Sequence, residues 1–296
     1  MAEARIPVDL FNPGQVFACL GFLEAADALI GNARGGFDWR DESDVRFVLG
    51  TAGNENPVAV VLGFLAEASV VALAPKGIGV MDKWGVETRV DGNFVFSVSP
   101  TVREGAKRIS IKESALPILL VADQERLISV SHWADVDNGR RSLKTWGGAQ
   151  GKSGASRMND LLDAAKPLIK ANLSAASADP YRIASAIGGF RLDMHRDYVP
   201  IDIGYSLNAH KGKLEAMGHP VVEIVAVIGL EHARPVVIDK LSYRYGAWRG
   251  MIEPALARPT LGCASMACEV RTFLAQLGEP NKYDRSIRNV TEETVK

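Results

Sequence analysis

The sequence is poor in cysteine, in long apolar runs and in net charge. Cys19, Cys263 and Cys268 are the only cysteines among 296 residues. An odd count is no disulfide framework, and a chain of this length folds without such staples. The thiols therefore point to a reducing compartment. The longest apolar runs, around Val58–Leu65 and Val221–Leu230, fall far short of the roughly 20 residues needed to cross a bilayer. The opening Met1-Ala2-Glu3-Ala4-Arg5 has no charged region leading into an apolar stretch, so no secretory signal and no membrane contact are expected. A cytoplasmic location is the expectation. The formal net charge is -1, from 34 basic and 35 acidic residues. That balance excludes a protein that coats nucleic acid through bulk charge, and leaves phosphate contacts to local patches. It also gives little colloidal repulsion, which suits a subunit held by partners.

What is present is the composition of a folded protein, 47% apolar and 23% charged. Patterning predicts an α+β chain. Ile6–Phe11 reads as a strand, and Asn12-Pro13 opens a helix whose stripe of Val16, Leu20 and Leu23 runs to a stop at Gly31. Strands at Phe37–Trp39 and Arg46–Leu49, a helix from Pro57 to about Ala68 and a strand at Val70–Ala74 complete a β-α-β-β-α-β order. That is the order of a ferredoxin-like unit. Mixed strands and helices follow, among them strands at Asn93–Val98, Ile109–Ile111, Pro117–Val121, Arg126–Ser131, Phe190–His195 and Leu241–Trp248. Helices are predicted at Met158–Leu173, with Pro167 kinking or splitting it, at Pro220–Gly229 and at Ala267–Leu277. The composition shift at 137–157 divides the chain into an N-terminal α+β lobe (1–136), a Gly-rich basic loop (137–157) and a C-terminal α+β lobe (158–296).

That loop carries the strongest chemical signal. Arg140, Arg141, Lys144, Lys152 and Arg157 stand among glycines that let backbone approach a phosphate. Trp146 offers a face for base stacking and Gln150 an amide for a base edge. A flexible clamp on nucleic acid and an exposed linker with solvated charge both fit. Gly151-Lys152-Ser153 is no ATP-binding loop, because the first glycine is not at the required spacing and no apolar strand leads into it.

Asp193-Met194-His195-Arg196-Asp197 places two carboxylates and an imidazole on one face of a strand, the elements of a metal-dependent nuclease. A solvated face with acids paired to Arg191 and Arg196 explains it as well. Cys263 and Cys268 would need two further zinc ligands, and the candidates His210, His219 and His232 match no standard zinc spacing, so no metal or cofactor is expected. Glu223, an acid inside the run Val221–Leu230, reads as a helix-start carboxylate near the dipole. In Ser242–Trp248, Arg244 alternates with Tyr243 and Tyr245; an interaction sheet with a basic face fits, and a half-buried strand with aromatics inward and arginines outward fits better. No nucleophile constellation is present, so no enzyme is expected.

Two segments resemble a known family. The first is Ile6-Pro7-Val8-Asp9-Leu10-Phe11-Asn12-Pro13-Gly14-Gln15-Val16-Phe17-Ala18-Cys19-Leu20-Gly21-Phe22-Leu23-Glu24. The second comprises Tyr205-Ser206-Leu207-Asn208, then Pro220-Val221-Val222-Glu223-Ile224-Val225-Ala226-Val227-Ile228-Gly229-Leu230 and Arg234-Pro235. Both are similar to segments of the compact large-subunit proteins of subtype I-G (formerly I-U) CRISPR Cascade complexes. The resemblance implies a non-catalytic subunit of an RNA-guided antiviral complex. Its partners would be other Cascade subunits, guide RNA, target DNA and a recruited helicase-nuclease. Guide pairing reads the target while protein reads a short flanking motif, helps open the duplex and holds the displaced strand. A ferredoxin-like Cascade subunit gripping guide RNA is the alternative role within such a complex.

Overall fold

The computed structural model describes residues 2–74, 87–90, 118–130, 154–187, 189–194, 217–239, 241–278 and 287–293. The expected strands at 93–98 and 109–111, and the loop residues Arg140, Arg141, Lys144, Trp146, Gln150 and Lys152, lie outside them.

Two helices organise the fold because neither has a polar side. In α1 (Pro13–Leu29) every residue from Pro13 to Ala26 is buried, and in α5 (Pro220–His232) every residue from Pro220 to Leu230 is. A helix apolar all round must be enclosed. These two enclose each other, antiparallel, at close range. A Cβ on Gly21 would lie 1.8 Å from the Val225 carbonyl oxygen, and one on Gly229 would lie 2.2 Å from that of Phe17. Only glycine permits backbones to meet so closely.

Three sheets surround the pair. The first joins β1 (Ala2–Pro7), β3 (Arg46–Thr51) and β2 (Arg34–Asp38) in the antiparallel order β1-β3-β2. The second has the order β5-β4-β6-β7, from β5 (Glu87–Val90), β4 (Ser69–Ala74), β6 (Ile118–Val121) and β7 (Leu127–Val130), with β4 parallel to β5 and antiparallel to β6. One of its faces puts Val70, Ala72, Ile118 and Leu120 into the main core, where β4 meets α3 (Gly154–Ala171), which packs in turn on α2 (Pro57–Glu67). Its other face gathers Val71, Leu73 and Leu119 into a separate small cluster.

The third sheet is antiparallel, in the order β11-β10-β9-β8, from β11 (Ile287–Glu293), β10 (Val270–Leu277), β9 (Ser242–Trp248) and β8 (Val236–Val237). It meets the first sheet where Gly35 and Phe37 bridge to Ile252 and Arg249, and where the Trp248 indole N–H donates to the Gly35 carbonyl at 2.8 Å. Tyr243 and Tyr245 face inward and Arg244 pairs with Glu293, as the alternation predicts. The main core draws on both halves of the chain.

The α+β class stands, and the β-α-β-β-α-β order occurs along the chain. Three strands of that unit share a sheet; β4 pairs with β5 and β6 instead of lying beside β1. The first strand is Ala2–Pro7, not Ile6–Phe11, because the chain turns at Asp9–Asn12, where the Asn12 N–H meets the Asp9 carbonyl at 3.0 Å. Residues 267–277 are not a helix: Val270–Leu277 pairs on both sides, with β9 and β11. A short helix, α6 (Pro254–Leu261), follows the turn after β9, and the segment after Pro280 supplies β11. Residues 190–194 are irregular, not a strand. Pro167 lies within α3, which runs unbroken to Ala171, followed by the short α4 (Leu173–Ala178).

Candidate functional site

Where the start of α1, the start of α5 and the segment 189–194 converge, three acidic and amide side chains are buried together. Asn12 is fully buried, Asp193 is 3% exposed and Glu223 is 4% exposed. Burying such groups is costly unless each is hydrogen-bonded, and here they are. The Asn12 amide donates to Asp193 Oδ1 at 2.6 Å, and its oxygen accepts the Met194 N–H at 3.2 Å. Asn12 precedes α1 as expected, yet its side chain does not cap that helix. It ties the helix start to a segment far along the chain.

Asp193 Oδ2 lies 2.5 Å from Nδ1 of His219, the residue preceding α5, whose side chain is 17% exposed. A carboxylate on one ring nitrogen sets the tautomer and leaves Nε2 for an outside partner. Glu223, one turn into α5, accepts three backbone N–H groups: Phe190 at 2.7 Å on Oε2, and Leu192 and Asp193 at 3.1 Å on Oε1. Gly189 makes room, since a Cβ there would lie 2.6 Å from the Glu223 carboxyl carbon. Within this clamped segment Arg191 has a φ of 66°, a left-handed backbone costing about 1–3 kcal/mol, of the kind found at ligand clamps and switch regions.

The residues expected to hold a metal are only partly brought here. Both Asp193 oxygens are engaged by Asn12 and His219, which removes a ligand from the nuclease set. His195 and Asp197 lie outside the described residues. Among the described residues no group of three or more His, Cys, Asp or Glu stands where it could hold a metal ion. Arg157, counted with the basic loop, belongs to the first turns of α3. Its side chain is 14% exposed and lies 3.8 Å from Asp160.

Two further titratable groups shape the α1 surroundings. Glu24, buried on α1, holds Arg258 of α6 through two hydrogen bonds of 2.7 and 2.8 Å, with His232 Nδ1 at 3.6 Å. Burial, and secondarily the Arg258 charge, push the His232 pKa down against the pull of Glu24. Burial likewise pushes the Cys19 thiol far up, against the opposing effect of its 3.2 Å hydrogen bond with the Tyr181 hydroxyl. All three cysteines are free.

Sequence reasoning singled out Asp193 and Glu223 for other roles, weighed His219 only as a zinc ligand of unsuitable spacing, and missed Asn12 as a tie between remote parts of the chain. The available signal was that Asn12 and His219 each sit beside a proline opening a helix, Pro13 or Pro220. Among the described residues no helix is long and apolar enough to cross a membrane. Comparison with protein-family models, with curated proteins and with solved structures finds no match for the chain.

Proposed function

We propose that the chain is a non-catalytic subunit of a type I CRISPR RNA-guided surveillance complex, binding target DNA beside guide-paired sequence. One observation carries the reading. Of the two segments that resemble the large-subunit family, residues 13–24 lie in α1 and residues 220–230 in α5, and these helices pack on each other through Gly21 and Gly229. They are further locked by Asn12, Asp193, His219 and Glu223. Segments remote in sequence but joined in space are what a shared scaffold requires. On this reading α1 and α5 are the frame, and the basic segment with Arg140, Arg141, Lys144, Trp146, Gln150 and Lys152 supplies phosphate contacts and a stacking face.

The partners are the other Cascade subunits, guide RNA, target DNA and a helicase-nuclease that performs the cleavage. A ferredoxin-like subunit gripping guide RNA is the second reading. The antiparallel order β1-β3-β2 favours it; the position of β4 beside β5 and β6 weighs against it.

The test is an electrophoretic shift with the purified protein, alone and with its genomic-neighbour subunits and guide RNA, on duplexes with and without candidate flanking motifs. Motif-dependent binding without cleavage is expected. Binding to guide RNA with indifference to duplex DNA would assign the second role. In the same assay, replacing Arg140, Arg141, Lys144 and Lys152 by Ala is expected to weaken binding and flatten its salt dependence, because fewer counterions are released.

A further inference from the structure

Phe11 is the one aromatic residue left exposed among the described residues, at 43%; every other described aromatic is buried. A solitary exposed ring is ordinary. A solitary ring that is exposed and also held rigid is a different object. The Phe11 N–H donates to the Asp9 carboxylate at 2.9 Å, and the Asp9 N–H donates to Gln15 Oε1 at 2.8 Å. The ring meets Phe273 edge to face, with centroids 5.3 Å apart and planes at 79°. Phe273 in turn stacks on Tyr245 at 5.4 Å, and the Tyr245 hydroxyl donates to the Leu10 carbonyl at 2.8 Å. Phe11 is thus the outermost ring of an aromatic column rooted in the core.

We infer that Phe11 is a stacking platform for an unpaired nucleobase, an assignment that rests on the nucleic-acid reading above. A planar π-face suits any base, and a preorganised ring loses little conformational freedom on binding. The nearest cation on the column is Arg271, whose guanidinium centre lies 5.9 Å from the Phe273 ring. It is already bound to Glu292 through hydrogen bonds of 2.7 and 2.6 Å. The contribution of Phe11 is therefore stacking without counterion release, and it has a signature of its own: affinity changes while the salt dependence does not.

Fluorescence anisotropy of a fluorescein-labelled single-stranded DNA, titrated with the full chain and with the assembled complex at several salt concentrations, tests this. Phe11→Ala is expected to weaken binding roughly tenfold with an unchanged salt slope, and Phe11→Trp to keep it within about twofold. Phe11→Leu, apolar but ringless, is expected to behave like Phe11→Ala while preserving the packing on Phe273. Wild-type affinity in both the Ala and the Leu variants, or full rescue by Leu, overturns the platform and leaves the nucleic-acid reading standing. Failure of the wild-type protein and complex to bind either single strand or duplex overturns that reading, and the platform with it.

Discussion

A carboxylate that accepts three backbone N–H groups leaves three buried donors unpaired when it is cut away. Glu223→Ala is therefore expected to lower stability by about 3 kcal/mol in urea denaturation, and Glu223→Gln by less, since one oxygen remains. His232 governs a pH effect. Its pKa is lowered in the folded protein, so below the ordinary histidine range the unfolded chain takes up a proton that the folded one refuses. The contribution is present above about pH 6.5 and is lost as pH falls through the folded pKa. His232→Gln is expected to flatten the melting temperature between about pH 7 and pH 5. Thiol reactivity follows burial: Cys263, pushed up to about 11, alkylates slowly at neutral pH, and Cys19 only on unfolding. Mass spectrometry after brief iodoacetamide treatment checks the order. Glu223 is legible in the sequence as an acid inside an apolar run. Its partners, 30–33 residues upstream, are not, because Phe190–Asp193 alternates like a strand and nothing local marks its amides as donors.

Elements were readable where local pattern and burial agree. Pro13, Pro57 and Pro220 each stand at the first helical position, and all three helices occur. β10 is the opposite case. Val270–Leu277 contains arginine, leucine, alanine and glutamine, good helix formers. The pairing with β9 and β11 that overrides this preference is a property of the assembled sheet. The α1–α5 contact carries the sharpest prediction at this scale. Gly21→Ala sets a methyl group against the backbone of Val225, which cannot rotate away as a side chain can. Circular dichroism melts are expected to show a loss of about 1–3 kcal/mol or more for Gly21→Ala. Gly63, on α2, has open space around its missing Cβ, and Gly63→Ala is expected to be neutral or stabilising.

For the whole molecule, the sequence divides at the basic segment, and the structure joins the two lobes through one core. Trp39 belongs to the first lobe and Trp248 to the second, and both are buried in that core. Unfolding is expected as a single cooperative transition, with tryptophan fluorescence and far-ultraviolet circular dichroism coinciding; two separated midpoints would show independent lobes. The burial of α1 on every side also has a consequence in time. Its main partner α5 follows roughly 190 residues later. At about 5–20 residues per second a ribosome needs on the order of 10–40 s to bridge that interval. Throughout it the emerging helix, mainly apolar on every side, has no finished core to enter. Synthesis of this chain thus has a window of vulnerability, opened by the first helix and closed only when the last third of the polypeptide arrives.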